Sequence, residues 1–79
     1  MASRRNTTEQ LLGDVIRSHR EGLNLSQEDL ALECGLHRTY ISQLERGQKS
    51  PTLRVLIMIA KALKVEPAEL VKQATSDSK

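Results

Sequence analysis

The 79 residues, 38% apolar with Tyr40 as the one aromatic, allow a single small domain with an aliphatic core, near the lower size limit for folding alone. No apolar run approaches the ~18 residues of a membrane span. One cysteine excludes an internal disulfide, and the polar, basic N-terminus lacks a secretory apolar region, so a reducing cytoplasm is expected. The net charge of +2 conceals a division. Residues 21–36 carry Glu21, Glu28, Asp29 and Glu33 and no base, whereas residues 37–64 carry Arg38, Arg46, Lys49, Arg54, Lys61 and Lys64 against Glu45 alone. A basic stretch of this kind suits a phosphate backbone.

Residues 1–6, with Arg4 and Arg5, read as a flexible basic arm able to reach a DNA groove; the bland alternative is an ordinary disordered terminus. The folded domain is expected over residues 7–74. Helix 1 starts at Thr7 or Thr8, either of which can cap it, with Glu9 at its positive end. Leu12, Val15, Ile16 and His19 recur at helical spacing and predict one buried face, with His19 as a partly buried structural imidazole. The helix ends around Glu21 to Leu23. Asn24 follows, a residue that tolerates the left-handed conformation, and Leu25 packs inward.

Ser26 to Gly47 reads as two short helices joined by a tight turn. Ser26 can cap the first, with Asp29 where a capping box places its acid. Leu30, Ala31 and Cys34 form its apolar face, and Gly35 permits the left-handed turn that ends it. The second helix starts near His37 or Arg38, buries Ile41 and Leu44, and stops at Gly47. Its opposite face presents Arg38, Thr39, Ser42, Gln43 and Arg46, with Tyr40 at the edge. Such a helix can enter a major groove with its N-terminal residues nearest the bases.

After the polar loop 48–52, Thr52 can cap helix 4, which runs from Leu53 to about Leu63. Leu53, Leu56, Ile59, Ala60 and Leu63 suffice for the core. Val55, Ile57 and Met58 are then surplus, which points to a second buried surface. A last helix opens near Pro67 and ends around Gln73 or Ala74, with Leu70 and Val71 as its apolar pair. Residues 75–79 read as a disordered tail.

Ser26-Gln27, Leu30-Ala31, Gly35, Ile41, Leu44-Glu45 and Gly47 stand at the spacing of the Cro/CI-type (XRE) lambda-repressor-like regulators, and the chain resembles that family. Gly35 to Gly47, G-L-H-R-T-Y-I-S-Q-L-E-R-G, is most similar to the small controller proteins of restriction–modification systems. The resemblance implies an all-α, compact five-helix domain with its helix-turn-helix at helices 2 and 3. It implies a homodimer on a pseudo-palindromic double-stranded DNA operator, pairing through its last helices; Val55, Met58, Leu70 and Val71 are the candidate interface. It also implies that Arg20, six residues before the capping serine, pairs with Glu45, and that Gln27 holds a phosphate and sometimes a neighbouring side chain. For base readout the candidates are Arg38, whose fork matches guanine, then Thr39, Tyr40 and Gln43. His37, Ser42, Arg46, Lys49 and Ser50 complete the phosphate candidates.

Nothing points to an enzyme, cofactor, small-molecule ligand or metal. Two isolated histidines and a buried-face cysteine make no zinc pattern, and there is no phosphate-binding glycine loop. The rival to a self-pairing, autoregulatory regulator is an antitoxin-like module that binds a partner protein through helices 4 and 5.

Overall fold

The computed structural model describes residues 7–76, which form five α-helices and no strand. These are α1 (Thr8–Gly22), α2 (Gln27–Cys34), α3 (Arg38–Glu45), α4 (Leu53–Ala62) and α5 (Pro67–Ser76). The basic arm expected over residues 1–6 and the end of the tail, 77–79, lie outside the described residues. The last helix passes the expected boundary at residue 74, and Thr75 Oγ1 donates to the carbonyls of Val71 and Lys72 at 3.0 and 3.1 Å.

Side-chain caps set three of the helix starts. Thr7 Oγ1 accepts from the Gln10 N–H at 3.0 Å, Ser26 Oγ from Asp29 at 2.9 Å, and Thr52 Oγ1 from Val55 at 3.2 Å. Asp29 returns the bond, accepting from the Ser26 N–H at 2.9 Å and completing a capping box. The hydrogen bond from the Ser26 backbone, followed by that with its hydroxyl, holds the Asp29 carboxyl below the usual carboxylate range. α3 differs: His37 is its N-cap but makes no side-chain capping bond.

One device ends four helices. Asn24, Gly35, Gly47 and Lys64 all have positive φ, from 60° to 74°. Each donates its N–H to a carbonyl three residues back, and the following residue donates to one five back. The second bonds are Leu25–Arg20, Leu36–Ala31, Gln48–Gln43 and Val65–Ala60, at 2.9 to 3.2 Å. This is the Schellman arrangement, which satisfies the last carbonyls and reverses the chain within two residues. Asn24 and the two glycines suit it; Lys64 carries a Cβ into a conformation that costs most L-residues about 1–2 kcal/mol. Lys64→Gly is expected to raise stability by about 0.5–1 kcal/mol after the larger chain entropy of glycine is deducted. The check is a higher urea midpoint at unchanged slope.

The helices enclose two joined clusters. Ile16, Leu30, Ala31, Cys34, Ile41, Leu44, Ile59 and Leu63 form the larger, and Leu56, Ala60 and Leu70 the smaller. Leu12 on α1 touches both. Burying each large aliphatic chain stabilises the fold by about 1.5–3 kcal/mol. α1 packs against α3 on one side and α5 on the other. His19, half-buried, donates from Nε2 to Gln73 Oε1 at 2.9 Å and ties α1 to α5.

Two expectations for the apolar residues, those for Leu53 and Leu70, need correction. Leu53 is 72% exposed rather than in the core, because at the first position of α4 it lies beyond the reach of the neighbouring helices. Val55, expected at a dimer surface, packs in part against the larger cluster and keeps some of its area open. Leu70, expected at the same surface, is wholly buried in the smaller cluster and has no side-chain area to offer a partner.

Candidate nucleic-acid interface

The turn at Gly35 delivers α3 with its inward side fully engaged. Ile41 and Leu44 are buried in the core, and Glu45 is 5% exposed. Arg38, Thr39 and the C-cap Arg46 are exposed, while Ser42 and Gln43 are half-exposed. At about 100° per residue these five fall on one outward sector of the helix. Arg38 has no hydrogen bond or ion pair among the described residues, so its guanidinium is available. Tyr40 differs from this group, since its side chain is half-buried against the core. His37 precedes the helix, and Lys49 and Ser50 follow it in the loop, all exposed.

A buried ionic cluster fixes the other end of α3. Arg20 Nε lies 2.6 Å from Glu45 Oε2, and Arg20 Nη2 donates to Glu45 Oε1 at 3.0 Å. Arg20 Nη1 donates to the Leu25 carbonyl at 2.7 Å. The Glu45 hydrogen bond, opposed by burial, raises the Arg20 pKa further, so the guanidinium stays charged. Gln27 Nε2 donates to Glu45 Oε1 at 3.0 Å, which makes Glu45 the neighbouring side chain that this glutamine holds. One carboxylate thus ties α1, the start of α2 and the end of α3 together. Among the described residues the second N–H of the Gln27 amide has no acceptor.

The run of six bases is spread over several elements. Arg38, Arg46 and Lys49 belong to α3 and its loop. Arg54 instead lines a groove with Leu53, Ile57 and Met58, and Lys61 and Lys64 line grooves with Glu33 and Ala62. Cys34 is buried with its thiol 3.8 Å from the Met58 carbonyl, and burial raises its pKa. A thiol so held is a poor nucleophile. Among the described residues no group of histidine, cysteine and carboxylate side chains is placed to hold a metal ion, and no helix is long and apolar enough to cross a membrane.

A sequence model of the helix-turn-helix family HTH_3 matches residues 16–70, from α1 through the whole α2–α3 unit into α5. The chain belongs to the HTH_3 helix-turn-helix family. Control protein C.BamHI of Bacillus amyloliquefaciens is 45% identical to this helix-turn-helix protein over 71 residues, covering 89% of this chain and 88% of that one. Control protein C.SmaI of Serratia marcescens is 47% identical over 62 residues, covering 78% and 74%. The crystal structure of the restriction-modification controller protein C.AhdI from Aeromonas hydrophila superposes with a TM-score of 0.76 at 41% identity. It covers 77% of this chain and 92% of its own. The likeness to controller proteins drawn from residues 35–47 therefore extends over most of the molecule. This HTH_3 protein is a DNA-binding transcriptional regulator and not an enzyme.

Proposed function

We propose that two copies of the chain bind a pseudo-palindromic duplex, set α3 of each in successive major grooves, and control transcription from the chain's own promoter. The observation that carries this reading is the outward sector of α3: hydrogen-bonding side chains without a partner among the described residues, on a helix locked along its other side. Arg38 is suited to guanine O6 and N7, and Gln43, further along, to adenine or a single base contact. Thr39 and Tyr40 supply a methyl contact, a hydrogen bond or a phosphate contact. Gln27, oriented by Glu45, donates its remaining N–H to a phosphate, and His37, Ser42, Arg46, Lys49 and Ser50 hold the flanking phosphates. Control by protein concentration, as the likeness to control proteins suggests, asks for no effector.

Pairing is assigned to the outer side of α4 with α5. Leu53, Ile57 and Val71 are 72%, 45% and 47% exposed, and Leu53, Ile57 and Met58 border a groove of about 490 Å³. Aliphatic area left open in so small a domain suits a second copy, and the resemblance to controller proteins carries pairing through the last helices. Ile57→Asp is expected to shift the protein from dimer to monomer in sedimentation without loss of helix content, because the side chain lies outside both core clusters. A wild-type protein that stays monomeric at micromolar concentration would contradict the pairing. Preferential capture of a different gene product by this face would favour the antitoxin-like alternative.

A further inference from the structure

α1 meets the end of α3 backbone to backbone. A Cβ placed on Gly13 would lie 2.4 Å from the Leu44 carbonyl oxygen, 2.6 Å from that of Glu45 and 2.8 Å from the Glu45 carbonyl carbon. One turn earlier on α1 the contact runs the other way. A Cβ on Gly47, just beyond α3, would lie 2.9 Å from Gln10 Oε1 and 3.0 Å from the Gln10 Cα. Two glycines thus interleave residues 10–13 of α1 with residues 44–47. Two turns further along α1, Arg20 grips the Glu45 side chain. The end of the reading helix is therefore seated against α1 at three successive levels.

A side chain at position 13 would have to separate these backbones by about 1 Å to reach ordinary contact. The opposed atoms belong to main chain, which cannot rotate aside. Retreat of α1 is opposed by Leu12 and Val15, which pack against the cluster of Leu56, Ala60 and Leu70, and by His19, bonded to Gln73. Whatever part of the displacement α3 takes moves its outward residues, which must meet base edges within hydrogen-bonding tolerance.

We propose that Gly13 is a positioning residue for sequence reading: lacking a side chain, it sets how far α3 stands from α1 and so aims Arg38 and Gln43 at the bases. This rests on the assignment of base readout to α3.

The test compares Gly13→Ala with Gly22→Ala, a change at the end of the same helix where a Cβ meets nothing within 4 Å. The probe is a duplex selected from a randomised pool by the wild-type protein, measured beside an unselected duplex at several salt concentrations. Gly13→Ala is expected to keep its helical spectrum, its affinity for unselected DNA and its salt slope, while the ratio of selected to unselected affinity falls about tenfold or more. Gly22→Ala should keep the ratio. A wild-type ratio in Gly13→Ala, or equal loss on both duplexes, would overturn the inference. Failure of the wild-type protein to select any sequence would instead overturn the readout assignment beneath it. If Gly13→Ala does not fold, Gly47→Asn applies a milder push at the same seat, since asparagine tolerates positive φ. The same fall in ratio is expected, and an unchanged ratio would again overturn the proposal.

Discussion

Replacing Glu45 by glutamine is expected to lower the unfolding free energy by about 3 kcal/mol, in line with removal of one partner from a buried ion pair. Glutamine keeps the size of the side chain but removes the charge that Arg20 faces at 2.6 Å. The Arg20 side chain is only 10% exposed, and its nearest other carboxylate oxygen, on Glu21, is 4.0 Å away. An amide would also turn a donor toward a guanidinium or toward the Gln27 amide, both of which now donate to Glu45. In a domain of this size the loss corresponds to a fall in Tm of roughly 12–24 °C. Thermal unfolding followed by circular dichroism is the check, and an unchanged Tm would remove the structural role assigned to the pair. A double replacement, Arg20→Met with Glu45→Leu, should recover much of the loss, because the cost lies in leaving one charge buried without its partner.

Arg38→Ala is expected to act on the other side of the molecule. It should leave stability within about 0.5 kcal/mol of wild type, since Arg38 is exposed and has no partner among the described residues. Affinity for the selected duplex should fall by about 1–3 kcal/mol for each half-site, hence roughly 2–6 kcal/mol for a dimer whose two contacts are independent. Arg38→Lys should not restore it, because lysine lacks the planar fork that spans O6 and N7. Titration of labelled duplex at fixed salt measures the effect. A loss of equal size on unselected DNA would reassign Arg38 to phosphate.

Features decided by neighbours in sequence were the legible ones. The capping box of Ser26 and Asp29 and the positive φ of Asn24 and Gly35 follow from the chemistry of single residues at fixed short spacing. Lys64 escaped because its left-handed conformation is imposed by the turn into α5 and not by its own preference. Where two apolar residues stand side by side, periodicity alone could not say which one faces the core. Leu70 is inside and Val71 outside, and Leu53 lies beyond the layer that Leu56 enters. The basic run from Arg38 to Lys64 is continuous in sequence but spread over α3, the loop after it, α4 and the turn beyond, with Arg54, Lys61 and Lys64 bordering separate grooves. In the interface itself, the outward residues of α3 were legible from helical spacing. The choice of Glu45 as the partner of the Gln27 amide and the backbone seat at Gly13 were not, because both depend on how three helices cross.

Pairing across two half-sites is the central claim, and stoichiometry on designed duplexes tests it most directly. The selected duplex would be compared with one in which a single half-site is scrambled, at the same salt concentration, with mass and affinity read in one titration. Two copies on the intact duplex, bound far more tightly than anything on the scrambled one, is the predicted result. One copy on each duplex with equal affinity would contradict it.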